Sequence, residues 1–469
     1  MKRFLLLFAV IIAAQITNAG TVHIKGKIIN PLADEIKFTY YDGYFNFNTH
    51  EKTAKIAKDG SFSIQLPIVG KYTNLNIVNG DQGTEIYVSD GDDLSMSFDG
   101  KDFDKTMHYT GKGSEIANFV AKHLLENNYF QLFGQKIQPL LAKNGDEFVS
   151  SLKAELKKEM DFLEQNKAGL PASFVSFWSA QYEYTVYYYM LSYPFLHEIA
   201  KGAGANRIIP QENYKVAMAA PEKFNDEHMD IGYYRNYLES YFDARMNYGD
   251  SISKMQYLKN DSTTILAKIL MPDKSREYLF ACAIFRNVRT SAITKIDSDY
   301  TAFKKMYPKS EYATILNKII DIKRKLGAGQ AAIDFNFTSL DGKKMKLSDL
   351  KGKVVFLDFW ASWCGPCMRE LSYTKKVEEH FKDRDLVVVN VSIDEDQTAW
   401  KSTIEKMKIE GIHTCEPGGW KSRIAMLYGV QSVPSYFLIG KDGKFAVEKT
   451  PRPSDTDNLI STIEKAMNQ

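Results

Sequence analysis

Val354-Val355-Phe356-Leu357-Asp358-Phe359-Trp360-Ala361-Ser362-Trp363-Cys364-Gly365-Pro366-Cys367 is the stretch that decides how the C-terminal third of this chain folds. Its first six residues are apolar apart from Asp358, a run suited to a central strand covered on both faces. The Cys-Gly-Pro-Cys segment then opens a helix. A sulfur at a helix N-terminus meets unpaired backbone N–H groups and the positive end of the helix dipole, and both favour the thiolate. The thiolate is the attacking species in disulfide exchange. Cys364 is therefore the expected nucleophile and Cys367, one turn on, the expected resolving thiol. Pro366 suits the first turn, where its missing N–H leaves nothing unsatisfied.

Working outward, Leu386-Val387-Val388-Val389-Asn390-Val391 and Ser435-Tyr436-Phe437-Leu438-Ile439 read as further buried strands. The turn Gly440-Lys441-Asp442-Gly443 leads from the latter to a fourth strand at 444–448. Helical patterns near 367–381, 398–410 and 456–466 alternate with them, which predicts an α/β layer fold for residues 327–469. Gly327-Ala328-Gly329 looks like the linker that precedes it. Residues 113–326 read as an α-helical region, with a helix starting at Ser114 and another over 151–166 that stops near Gly169. The Tyr-rich stretch Trp178 to Tyr193 reads as helix packing in preference to a peptide-binding surface. Residues 20–112 alternate with period two between Gly-containing turns such as Lys58-Asp59-Gly60-Ser61, which predicts an antiparallel β-sandwich-like domain.

At the N-terminus, Lys2 and Arg3 precede the apolar run Phe4 to Ala14, and Thr17-Asn18-Ala19 offers small residues for cleavage. This pattern predicts a signal peptide over 1–19 and export to the periplasm; an uncleaved N-terminal membrane anchor is the other reading. Removing the leader leaves 58 basic against 58 acidic residues. Such a balance, without a basic block, argues against nucleic acid as a partner.

The chain has four cysteines, too few for a disulfide-stapled scaffold. A zinc site would need two ligands beyond the Cys-x-x-Cys pair, and His413 and Cys415 in another segment are poor candidates, so no metal is expected. No other cofactor is expected either. Cys282 and Cys415 are read as two unpaired buried thiols, with a bond between them or a regulatory role for Cys415 left open.

Phe359 to Cys367 resembles the thioredoxin active-site segment. The stretches Leu340-Asp341-Gly342-Lys343 and Leu347-Ser348-Asp349-Leu350-Lys351-Gly352-Lys353 resemble the lead-in of the exported TlpA/ResA-like branch. Ala331-Ala332 and Leu371-Ser372 depart from the family pattern, which has a proline near each place. The resemblance implies a thioredoxin-like thiol–disulfide oxidoreductase with a redox-active disulfide bond. Some members of this branch serve cytochrome c maturation. Client proteins with disulfides and an upstream membrane thiol–disulfide donor are the implied partners. Val433-Pro434 matches the family's cis-proline loop, which with Trp363, Gly365 and Pro366 would bind substrate. Asp358 matches a buried acid that exchanges a proton with Cys367, and Glu370 matches an acid that tunes the thiols.

The Gly-Pro dipeptide is the one thioredoxin uses, and thioredoxin is reducing at about −270 mV, so reduction of clients is the expected direction. A net oxidant or isomerase is the enzymatic alternative, and a client-binding protein using the fold as a scaffold is the non-enzymatic one. A peroxidase reading fails for want of a lone peroxidatic cysteine. The layout resembles multidomain TlpA-like proteins of Bacteroidetes-type bacteria. The front two-thirds is expected to orient the redox domain, bind clients or mediate self-association.

Overall fold

The computed structural model describes residues 20–42, 48–68, 70–127, 137–201, 211–219, 224–248, 271–288, 291–430 and 432–468. The expected signal peptide lies outside these residues. Two compact units divide the chain, Met1–Leu279 and Phe280–Gln469. Among the described residues no helix is long and apolar enough to cross a membrane.

In the first unit, strands β1 (Gly20–Ile29), β2 (Glu35–Asp42), β3 (Asn48–Lys55), β4 (Ser61–Ile68), β5 (Thr73–Asn79), β6 (Gln82–Val88), β7 (Asp93–Asp99) and β8 (His108–Lys112) form two four-stranded sheets. Their orders are β4-β1-β7-β8 and β3-β2-β5-β6. Val22, Ile24, Leu94 and Met96 from one sheet and Ile36, Phe38, Leu75 and Ile77 from the other belong to one apolar core. Gly60 turns the chain into β4 with φ +84°, and a Cβ there would lie 2.2 Å from the carbonyl oxygen of Ile28. One pairing departs from the antiparallel expectation: β1 and β7 run parallel. Only strands joined by a tight turn must run antiparallel. The chain between β1 and β7 passes through the other sheet, which frees their relative direction.

Among the described residues, the first unit is helical from Ser114 onward. Its longest helix, Ala172–Lys201, carries the Tyr-rich stretch. Trp178, Tyr182, Tyr184, Tyr189 and Tyr193 are buried on it. Trp178 meets Phe119 edge-on at 5.1 Å, and Phe174 lies at 5.6 Å from it.

The second unit includes the helices Ile293–Met306 and Tyr312–Lys325, so it begins well ahead of the glycine cluster at 327–329. The backbone N–H of Ile293 donates to Glu448, and Ile322 packs against Gly429, which binds these helices to the α/β layer. That layer is built on β11 (Val354–Trp360), β12 (Leu386–Ser392), β13 (Ile412–Cys415) and β14 (Ser435–Ile439), ordered β13-β12-β11-β14. The short strands β9 (Asn336–Thr338) and β10 (Lys344–Lys346) pair separately. Strands β11, β12 and β13 are parallel, and β14 is antiparallel to β11. Every residue of β11 is buried. Leu357 and Phe359 pack into one core, while Val354 and Phe356 face the other with Leu459 and Ile463 of the last helix. The expected strand at 444–448 is reduced to isolated bridges at Lys444 and Phe445, because the chain there answers Ala331 as well as Ile439.

Candidate active site

The strand β11 ends at Trp360, and four residues later the helix Gly365–His380 begins with Cys364 as its N-cap. Cys364 and Cys367 form a disulfide, with Cα atoms 5.2 Å apart. The Cys364 sulfur accepts the backbone N–H of Cys367 at 3.1 Å. That bond supplies a donor at the position where a thiolate would need one, and the helix dipole adds to it. Trp363, Gly365 and Pro366 are exposed around the pair, and a Cβ at Gly365 would meet open space. The Val433–Pro434 peptide bond is cis, and Ser435 follows it as the first residue of β14. The Trp363 loop is held from below by Asp394, which accepts the backbone N–H of Ser362 at 2.9 Å and its hydroxyl at 2.6 Å.

Acidic side chains of β11 and of the active-site helix meet in the interior. Asp358 is 2% exposed and sits in register between Tyr436 on β14 and Asn390 on β12. Paired residues share a face of the sheet, so the three polar side chains form one row. Each carries a buried oxygen without a hydrogen-bond partner: Asp358 Oδ1, Asn390 Oδ1 and the Tyr436 hydroxyl. Burial first, then the charges of Glu370 and Glu378, push the Asp358 carboxyl up to about 8. Burial and Glu410 push Glu378 up to about 7. Burial, with Asp358 and Glu370 adding to it, raises the Tyr436 phenol as well, so it stays protonated. Asp358 is thus a neutral acid at pH 7, able to give a proton or, once ionised, to take one.

Glu370 is buried on the first turns of the active-site helix, one turn beyond Cys367. Its carboxylate accepts the backbone N–H of Ser454 at 2.8 Å and the Ser454 hydroxyl at 2.9 Å. Glu370 therefore fixes the segment before the last helix as well as lying near Asp358.

Neither Cys282, which is buried, nor Cys415 forms a disulfide. Cys415 is half-buried, donates to the carbonyl of Asp394 at 3.2 Å and accepts from Gln397 at 3.0 Å. Burial pushes its thiol up, the wrong direction for a nucleophile. It lines a cleft of about 590 Å³ with Thr338, Lys344 and Glu416, apart from the disulfide. His413 lies on β13 with its Nε2 bonded to the carbonyl of Ile409.

Residues 327–465 match the Redoxin family. A ResA thiol–disulfide oxidoreductase of Bacillus cereus is 34% identical over 143 residues, which are 30% of this chain and 80% of the relative. That of Bacillus subtilis (strain 168) is 33% identical over 147 residues, 31% of this chain and 79% of the relative. The chain belongs to the TlpA/ResA-like thiol–disulfide oxidoreductases. A crystal structure of the thioredoxin domain of a thiol–disulfide oxidoreductase from Bacteroides vulgatus is 30% identical and covers 30% of this chain and 97% of that one, at a TM-score of 0.27.

In this oxidoreductase the residues singled out from the sequence fall into three places. Cys364, Cys367, Trp363, Gly365 and Pro366 are contiguous, at the strand-to-helix junction. Asp358 and Glu370 are buried, on β11 and on the active-site helix. Val433 and Pro434 stand at the entry to β14, next in the sheet to β11. Sequence reasoning passed over Asp394, Tyr436, Asn390, Ser454 and Trp420. A polar Asn390 inside an otherwise apolar strand is the one signal that pointed inward. The others have no spacing relation to the motif.

Proposed function

We propose that this oxidoreductase is exported and reduces the disulfides of client proteins through a mixed disulfide on Cys364. The observation that carries the reading is the Cys364–Cys367 pair at a helix N-terminus between exposed flanks, with a neutral buried Asp358 on the strand that leads into it. In the reduced protein, the Cys364 thiolate attacks one sulfur of a client disulfide. A Cys364–client bond forms and the second client sulfur leaves as a thiolate. Ionised Asp358 takes the Cys367 proton, and the Cys367 thiolate then attacks Cys364. The client departs as a dithiol carrying two electrons, and the Cys364–Cys367 disulfide is left. An upstream membrane dithiol restores the pair, with neutral Asp358 protonating Cys367 as it leaves. Trp363, Gly365, Pro366, Val433 and Pro434 are the residues that would line the client backbone.

Lys2, Arg3 and the apolar run to Ala14 support export to the periplasm. The resemblance to the TlpA/ResA branch supports cytochrome c maturation as one setting for such clients. The shared core of the two N-terminal sheets supports a sandwich-like domain over 20–112, and the helices that follow support a helical region to 326; orienting the redox domain, client binding and self-association are the roles open to them.

The deciding experiment is the Cys367→Ser variant incubated with oxidised clients. It should accumulate mixed disulfides on non-reducing gels, and their absence sinks the two-thiol mechanism. The reduction potential of the pair, from thiol labelling in graded redox buffers, sets the direction. A value below roughly −240 mV supports the reductase, and one above roughly −180 mV turns it into an oxidant or isomerase.

A further inference from the structure

Five tryptophans occur in the chain. Trp178, Trp360 and Trp400 are buried, whereas Trp363 is 59% and Trp420 43% exposed. The two exposed rings lie against each other, centroids 6.0 Å apart, and Trp363 is the residue immediately before Cys364. Large apolar rings left in water at one place mark a surface that another molecule covers.

The contact is constructed from both sides. Asp394 binds the backbone and hydroxyl of Ser362, and the backbone N–H of Ile393 donates to the carbonyl of Trp360 at 3.0 Å, which together set the Trp363 loop. Trp420 stands on a tight turn made by Gly418 at φ +107° and Gly419 at φ +54°. Its neighbours close that turn: the N–H of Lys421 donates to Gly418 at 2.8 Å and that of Ser422 to Gly419 at 3.1 Å. Gly419 packs so closely on Glu395 that a Cβ would come within 2.9 Å of its carboxylate. Two loops 57 residues apart in sequence thus lean on the adjacent residues Asp394 and Glu395, and that shared support brings the indoles together.

We propose that Trp420 is a specificity-determining residue, forming with Trp363 a ledge that receives an aromatic or bulky apolar side chain next to the attacked cysteine of the client. The proposal rests on the reductase reading above and narrows its substrate class. The chemistry dictates the occupant. A client sulfur must come into bonding distance of Cys364, so the residues flanking that cysteine necessarily lie over whatever borders Cys364. Here Trp363 borders Cys364, and Trp420 extends that border through its contact with Trp363. An indole face offers an aromatic flank offset-stacked or edge-on contact that a glycine or serine flank cannot make. The Trp420 ring does not reach the chemistry except through the client.

The test uses the full chain, reduced, in single-turnover reaction with two short cysteine peptides, each supplied as a mixed disulfide with glutathione. One peptide has Trp before its Cys and the other Gly; free peptide thiol is read after chemical quench. The wild-type protein should reduce the Trp peptide about tenfold faster at sub-saturating concentration, a preference expressed in the half-saturation concentration with little change in the limiting rate. Trp420→Ala should erase that preference by slowing the Trp peptide, and Trp420→Phe should restore most of it. Equal reduction of both peptides by the wild type overturns the ledge and leaves the reductase standing, whereas reduction of neither overturns the reductase reading and the ledge with it. Parallel slowing of both peptides in Trp420→Ala would mean general damage and also overturns the ledge. So does loss of a concentration-dependent dimer in Trp420→Ala with the peptide preference intact, which would assign the two rings to a second copy of the chain.

Discussion

Both units bury a carboxylate, and they treat it in opposite ways. In the first unit Glu159, on the helix Gly145–Asn166, accepts from His123 Nε2 at 2.5 Å, and both side chains are all but sealed from solvent. The His123 ring lies 5.0 Å from Phe162 and 5.1 Å from Trp178, edge-on to both. In the second unit Asp358 is equally buried, yet its charged neighbours are Glu370 and Glu378, and its Oδ1 has no donor. A buried ionisable group with its counterpart is part of the packing. One surrounded by like charge and unspent oxygens must stay neutral, and a carboxyl that is neutral at pH 7 is useful only where protons move. Burial and an unpartnered oxygen are not the difference, since Glu85 of the first unit has both and is also raised by burial; what sets Asp358 apart is the like charge of Glu370 and Glu378 around it.

The largest effect should come from the motif itself. Cys364→Ser should abolish reduction of a disulfide protein such as insulin, because Cys364 is the helix N-cap and attacks first, with Cys367 only following. Turnover unchanged by the substitution would take the chemistry away from Cys364 and overturn the proposed mechanism. Next, His123→Ala should cost roughly 3–5 kcal/mol in the unfolding of the first unit, since it leaves Glu159 buried without its partner. The potential of the Cys364–Cys367 pair should stay where it was. A shift in potential would show that the first unit's acid is also wired to the chemistry, and the contrast would fail.

Asp358→Asn comes third and has a sign that His123→Ala cannot imitate. The folded protein holds the Asp358 proton up to about pH 8, whereas the unfolded chain releases it near 3.8. The stability this group contributes is complete below about pH 4 and is lost as pH rises to about 8. The loss is roughly 1.4 kcal/mol for each pH unit in that window. The asparagine variant should lack that decline, and urea titrations at pH 5 and 8 would read it. It should also slow resolution of the mixed disulfide about a hundredfold, the usual scale of a lost general base. A wild-type resolution rate that does not climb toward pH 8 would remove Asp358 from the mechanism.

The legible parts of this molecule are those whose physics is local. The unbroken apolar run of β11, the proline in the first helical turn and the two cysteines at one-turn spacing each speak from a few adjacent residues. Asp358 was reachable through the family resemblance, which implies a buried acid six residues before Cys364. Its partners in the row were not. Tyr436 and Asn390 meet it only through strand register, which depends on how three strands from separate parts of the chain align. Ser454 is 84 residues from the Glu370 it caps, and Trp420 is placed by two glycines and Glu395. The parallel β1–β7 pair was hidden for the same reason, as nothing local sets the direction of strands so far apart in the chain.

The smallest predicted effect is the sharpest on the cause of Asp358's behaviour. Burial ranks ahead of the charges of Glu370 and Glu378 in raising it. Glu370→Gln removes one of those charges while keeping an oxygen to accept from Ser454. If burial dominates, the Asp358 midpoint, followed by carboxyl NMR, should move down from about 8 by less than about one unit and remain far above 3.8. The resolution rate at neutral pH should then rise slightly, because more of Asp358 would be ionised. A fall to the ordinary carboxylate range would mean that acidic neighbours, and not burial, keep the proton in place. In that case what distinguishes Asp358 from Glu159 would be the sign of the nearest charge alone, and a basic residue beside Asp358 would be enough to turn the working acid into a structural one.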